Sequence, residues 1–126
     1  MAFGPNDFDR LRAWAALPDD ALVKLIDADS IAVMQRITVL LGADARRNAL
    51  PFDGADFVAT VREMDRLYRE GARSLGEAIV EASEWGEKQD AARARAVYER
   101  FLAGCRSKFH REIARYELRK LSAASG

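Results

Sequence analysis

Cysteine, histidine and proline are nearly missing from this sequence of 126 residues, which has one cysteine, Cys105, one histidine, His110, and three prolines. A single thiol cannot close an internal disulfide, and one cysteine with one histidine cannot supply the usual zinc ligand sets, so no metal or cofactor is expected. Stability must come from an apolar core, and a reducing compartment suits the cysteine usage. Net charge is missing as well: 20 basic groups balance 20 acidic ones, which excludes a globally basic protein that holds nucleic acid by phosphate neutralisation alone. There is no long apolar run either, since the greasiest stretch, residues 31–41, is interrupted by Gln35 and Arg36. The first seven residues lack the basic and apolar regions of an export signal. Neither a membrane span nor export is expected, and the expected location is the cytoplasm.

What is present is a globular composition, 49% hydrophobic and 32% charged, on a length that suits one domain covering residues 1–126. The apolar spacing is helical. Asn6 or Asp7 can cap a first helix through Phe8, Leu11, Trp14 and Ala15, which Pro18 ends. Asp19 and Asp20 open a second helix, expected to run to about Asp27, where acids suit the positive end of the helix dipole. Asp29 and Ser30 cap a third over residues 31–41, which stops at Gly42. Residues 42–54 read as a joint, because Pro51 leaves room for only one helical turn.

Beyond the joint the pattern becomes regular. Phe57, Val61, Met64, Tyr68, Gly71, Leu75, Ala78 and Ala82 alternate steps of four and three, which predicts one helix over residues 56–84. Val58, Leu67 and Ile79 widen that stripe and predict surface for a partner to cover. Residues 85–90 read as a turn, with Gly86 as the helix stop and Asp90 as the next cap. A last helix is expected to run unbroken to Leu121 with Ala94, Tyr98, Phe101, Cys105, Phe109, Ile113 and Tyr116 on its apolar face. The expected architecture is all-α, with three short N-terminal helices in residues 1–50 packed on a long antiparallel helical hairpin over 55–121. Glycines at 71, 76 and 104 inside the arms predict close backbone packing or a kink.

Charge is sorted along the chain. Residues 1–50 carry six basic and seven acidic groups, 51–90 carry five and ten, and 91–126 carry nine and three, giving −1, −5 and +6. Opposite charge on antiparallel neighbours explains this simply. The basic arm also places Lys108, Arg111, Arg115 and Arg119 in a ridge that could meet an acidic protein or phosphate.

Catalytic constellations are not found. Cys105 reads as a structural thiol within the apolar stripe, and His110, five positions on, points elsewhere on a continuous helix and reads as a surface or groove residue. Glu63, Glu70, Glu77 and Glu84 recur every seven residues among Arg62, Arg66, Arg69 and Arg73, a salt-bridged polar face rather than an inward carboxylate cluster. A helix-turn-helix over 19–50 would leave residues 43–50 as a recognition helix of barely two turns.

The segment Arg69-Glu-Gly-Ala-Arg-Ser-Leu75, together with Ala91-Ala-Arg-Ala-Arg-Ala-Val-Tyr98 and Phe109-His-Arg-Glu-Ile-Ala114, resembles the DUSAM domain over about residues 56–118. That bacterial family of small helical proteins has no assigned activity, so the resemblance implies a helical fold and no catalytic residue. The hairpin is also similar, in shape alone, to one tetratricopeptide unit, but no second copy of the period exists. The expected function is a non-enzymatic protein-interaction or scaffold module that associates with itself. The alternative is nucleic-acid binding through the basic C-terminal helix.

Overall fold

The computed structural model describes residues 6–42 and 54–125. Among them every regular element is a helix: α1 (Asn6–Ala15), α2 (Asp19–Val23), α3 (Ala28–Leu40), α4 (Gly54–Glu87), α5 (Ala91–Gly104) and α6 (Lys108–Ser125). The fold is all-α as its apolar periodicity predicts. The two-turn recognition helix weighed at 43–50, and the Pro51 break, lie outside the described residues. The chain packs as two compact units, residues 1–68 and 69–126, so the division falls within α4 rather than at the joint.

In the first unit, Phe8 and Leu11 of α1, Leu22 of α2, Val33, Met34 and Ile37 of α3 and Phe57, Val61 and Met64 of α4 are buried. The Phe8 ring stacks on Tyr68 at 4.7 Å, and Trp14 meets Phe57 at 6.1 Å. Asp7 is not a cap. Its carboxylate is buried and takes two hydrogen bonds from Arg36, Nε to Oδ2 at 2.9 Å and Nη2 to Oδ1 at 3.1 Å, tying α1 to α3. The charge that interrupts the 31–41 run thus answers a buried opposite charge, and that pairing raises the Arg36 pKa.

Helix ends in this unit fall differently from the expected ones. The second helix ends at Val23, four residues short of Asp27, and α3 begins earlier. Asp27 rather than Asp29 is its cap, accepting from the Ser30 amide at 2.7 Å while the Ser30 hydroxyl accepts from the Asp27 amide at 2.9 Å. This reciprocal pair occupies two donors that would otherwise be orphaned. The bond from the Ser30 amide holds the Asp27 carboxyl below its ordinary pKa. Gly42 takes φ 71° just past the Leu41 cap, the left-handed stop expected of it. The α1 end is closed from a distance: Arg62 of α4 donates to the Leu17 carbonyl at 2.7 Å, to the Ala15 carbonyl and to Asp19 at 2.9 Å.

The second unit joins the C-terminal half of α4 to α5 and α6 around Leu75, Ala78, Ala82, Ala94, Val97, Tyr98 and Ala114. Helix α4 runs through Gly86 to Glu87 and ends on two hydrogen bonds, Asp90 amide to Trp85 carbonyl at 2.9 Å and Gln89 amide to Gly86 carbonyl at 3.0 Å. This closure needs a left-handed residue, and the position falls on Gln89, with φ 60°, three residues after the glycine expected to stop the helix. Asp90 then caps α5 as expected, accepting from the Arg93 amide at 3.1 Å. Lys88 and Arg93 lie 4.9 and 4.6 Å from the half-buried Trp85 ring.

The unbroken second arm is not what forms. It is two helices, α5 and α6, separated at Cys105–Ser107. Gly104 ends α5 and Cys105 turns extended, with φ −102° and ψ 128°. Ser107 restarts the helix, its hydroxyl accepting from the His110 amide at 3.2 Å. Residues outside helical geometry do not advance the face by 100° each, so the inward phase shifts by one position. Ser107, His110 and Ala114 are buried, while Phe109 and Ile113 are half-buried and Tyr116 is exposed.

Candidate interaction surfaces of the second unit

The break between α5 and α6 decides what the basic ridge can do. Ser107 sits one residue before α6, so its hydroxyl meets both the His110 amide and the imidazole Nδ1, the latter at 2.6 Å. The hydroxyl accepts from the amide, and the direction of its bond with Nδ1 follows the tautomer of the ring. His110, read as a surface or groove residue, is 1% exposed and so not on the surface, and burial lowers its pKa. The imidazole lies directly against α4 at Gly71: a Cβ built there would stand 2.5 Å from Nδ1 and 2.6 Å from Cε1. Gly71 is therefore the close-packing glycine. Gly104 marks the break, and Gly76 has nothing within 4 Å of a built Cβ.

Arg111 belongs to this junction rather than to an open ridge. Its Nη1 donates to the Leu102 carbonyl and to the Cys105 carbonyl, the latter at 3.1 Å, placing a cation on the negative end of α5. Cys105 is half-buried in the break, with Sγ 3.9 Å from the Ser107 carbonyl, not in mid-stripe of a helix. Arg115 pairs with Glu112 at 2.7 Å, one turn back on its own helix. Lys108 and Arg119 are exposed. The structure thus leaves Lys108, Arg115 and Arg119 on the surface of α6 and turns Arg111 inward. Beside them Tyr116 is 54% exposed, with Lys120 4.8 Å from its ring centre.

A second surface was not singled out by the sequence reading. Along α4, Arg73, Gly76, Glu77, Val80, Glu81 and Glu84 line a shallow open depression of about 530 Å³. These residues recur at three and four, so they form one helix face, and the missing side chain at Gly76 makes the dent. Val80, one turn on, is 59% exposed, the most exposed of the large apolar side chains on the described residues. The sequence signal was available: Val80 lies three residues after Glu77 and four before Glu84, beside the acidic row read as a salt-bridged polar face. Ile79, Val58 and Leu67, which were expected to need a partner's cover, are half-buried. Glu81 is paired across to Arg100 of α5 at 3.1 Å.

Among the described residues, no group of three His, Cys, Asp or Glu side chains is arranged to hold a metal ion. No described helix is long and apolar enough to cross a membrane. No family model, curated protein or solved structure matches the chain.

Proposed function

We propose that this chain is a non-enzymatic helical module that binds protein in the cytoplasm, itself included, and that the outer face of α4 from Arg73 to Glu84 is its contact surface. The observation that carries this reading is the exposed Val80 beside the open notch at Gly76, a knob and a hole on one helix face with a charged rim. An exposed valine alone is ordinary, but one placed beside a vacant helix position offers the interlocking that helix partners use. The resemblance to the DUSAM domain agrees with this proposal, since it implies no chemistry of its own.

Nucleic-acid binding through the C-terminal helix remains the second reading, and the ridge supports it less than its four cations promise. With Arg111 held by the α5 carbonyls, three cations face outward, and Arg115 is shared with Glu112. Three phosphate contacts would give a log-log salt slope of about −2.7 on duplex DNA.

The test is a photo-crosslinking amino acid placed at position 80 in the cells that make the protein, with the exposed Ala13 of α1 as the control position. The expected result is a protein adduct from position 80 that the control lacks. Adducts to nucleic acid, or none, would overturn the reading.

A further inference from the structure

We infer that the Arg73–Glu84 face of α4 docks on the outer face of α6 in a second copy of this chain, with Tyr116 of the partner subunit seated in the notch at Gly76. The inference rests on the protein-binding reading above and names the partner. The α4 face asks for an aromatic or apolar knob ringed by positive charge, because its notch and Val80 are flanked by Glu77 and Glu84. The α6 face of the same chain presents that shape and sign. Tyr116 is half exposed, with Arg115 beside it, Arg119 one turn on, Lys120 against its ring and Lys108 two turns back.

Charge supports a second copy over an unrelated partner. Residues 51–90 carry −5 and residues 91–126 carry +6, so the chain holds both halves of a complementary pair. Its own ion pairs leave part of each unspent: among the described residues Glu77 and Glu84 make no ion pair, nor do Lys108 and Arg119. An antiparallel approach with Tyr116 opposite Gly76 brings position 77 opposite 115 and 84 opposite 108. Glu84 then meets Lys108, both otherwise without an ion pair, and Glu77 meets Arg115 in competition with Glu112, while Arg73 against Arg119 is a like-charged contact. The twelve-residue face is about 17 Å long at about 1.5 Å per residue, so the contact is at the small end of specific interfaces. Association of this kind is weak and salt-sensitive.

Sedimentation velocity of the full chain tests this over about 10–300 µM, a range suited to weak complexes. The wild type should show concentration-dependent association that weakens as NaCl is raised. Gly76→Leu fills the notch at an exposed position with open space around it, so it should keep helicity and raise Tm while weakening association at least about tenfold, or 1.4 kcal/mol. Glu77→Lys with Glu84→Lys should abolish association, and so should Lys108→Glu with Arg115→Glu. All four changes in one chain should restore it, because the pairs re-form with signs exchanged; a mixture of the two double variants should also associate. A wild type that stays monomeric throughout overturns the inference, as does Gly76→Leu associating like wild type or a fourfold variant no better than the double ones. If the chain is monomeric and a crosslinker at position 80 still captures a different protein, self-docking falls and the protein-binding reading stands. If neither occurs, both fall.

Discussion

Replacing Gly71 and Gly76 separately by alanine places the same methyl group five residues apart on one helix, in opposite surroundings. Both changes gain the same helix propensity, about 0.8–1 kcal/mol, because glycine in a helix interior gives up more backbone freedom on folding than alanine. At Gly76 the new Cβ meets nothing within 4 Å, so Gly76→Ala should stabilise by about 1 kcal/mol. At Gly71 the Cβ would lie 2.5 Å from Nδ1 of His110, far inside contact distance. The imidazole cannot swing aside cheaply, since it is 1% exposed and bonded to Ser107 at 2.6 Å. Overpacking of this kind costs about 1–3 kcal/mol, and loss of the Ser107 bond adds about 0.5–1.5. Propensity cancels in the comparison, so Gly71→Ala should be less stable than Gly76→Ala by about 1.5–4.5 kcal/mol. Urea unfolding followed by circular dichroism at 222 nm reads the difference directly. Two variants equal within about 0.3 kcal/mol, below the smallest overpacking cost, would refute the placement of His110 on α4.

Further consequences concern the helix ends and the histidine. Gln89 holds φ 60° where the closure of α4 needs a left-handed residue, so Gln89→Gly should stabilise by about 1 kcal/mol in the same assay, whereas a loss would mean that α4 ends elsewhere. Burial lowers the pKa of His110 below its ordinary 6.5, so the unfolded chain binds the proton first. The stability this contributes is fully present above pH 6.5 and is lost as pH falls through the lowered folded value. Because the chain has one histidine, urea midpoints should fall between about pH 7 and 5 in the wild type and much less in His110→Gln; equal pH profiles would count against the buried imidazole. Ser107→Ala removes the α6 cap and should cost about 1 kcal/mol, while no loss would mean that α5 and α6 are one helix.

The face of α4 was legible because one helix carries it without interruption. The four-three spacing from Phe57 to Ala82 names residues that are buried or half-buried throughout. The second arm misled for the converse reason. Phe101, Cys105 and Phe109 keep a spacing of four across a break, so periodicity alone carries the helix through it. The local signs of the break were there in Gly104 and, three residues on, the capping Ser107. The roles of the arginines were not legible. Arg62 and Arg111 each reach carbonyls at the end of another helix, and a long flexible side chain finds such an acceptor only when tertiary packing brings it near. The same holds for glycine: composition marks 71 and 76 alike, and only packing shows that one receives an imidazole and the other faces open space. Arg36 sat in plain view within an apolar run, but its partner Asp7 lay 29 residues away.

The central claim, that the outward faces of α4 and α6 in the second unit meet protein and meet each other, is tested most directly by dilution of the isotope-labelled full chain under amide NMR. From about 300 µM down to about 10 µM, the span over which a weak complex dissociates, the amides of residues 73–84 and 108–119 should shift together, and the shifts should shrink as salt is added. Spectra unchanged across that range, or shifts confined to other helices, would contradict it.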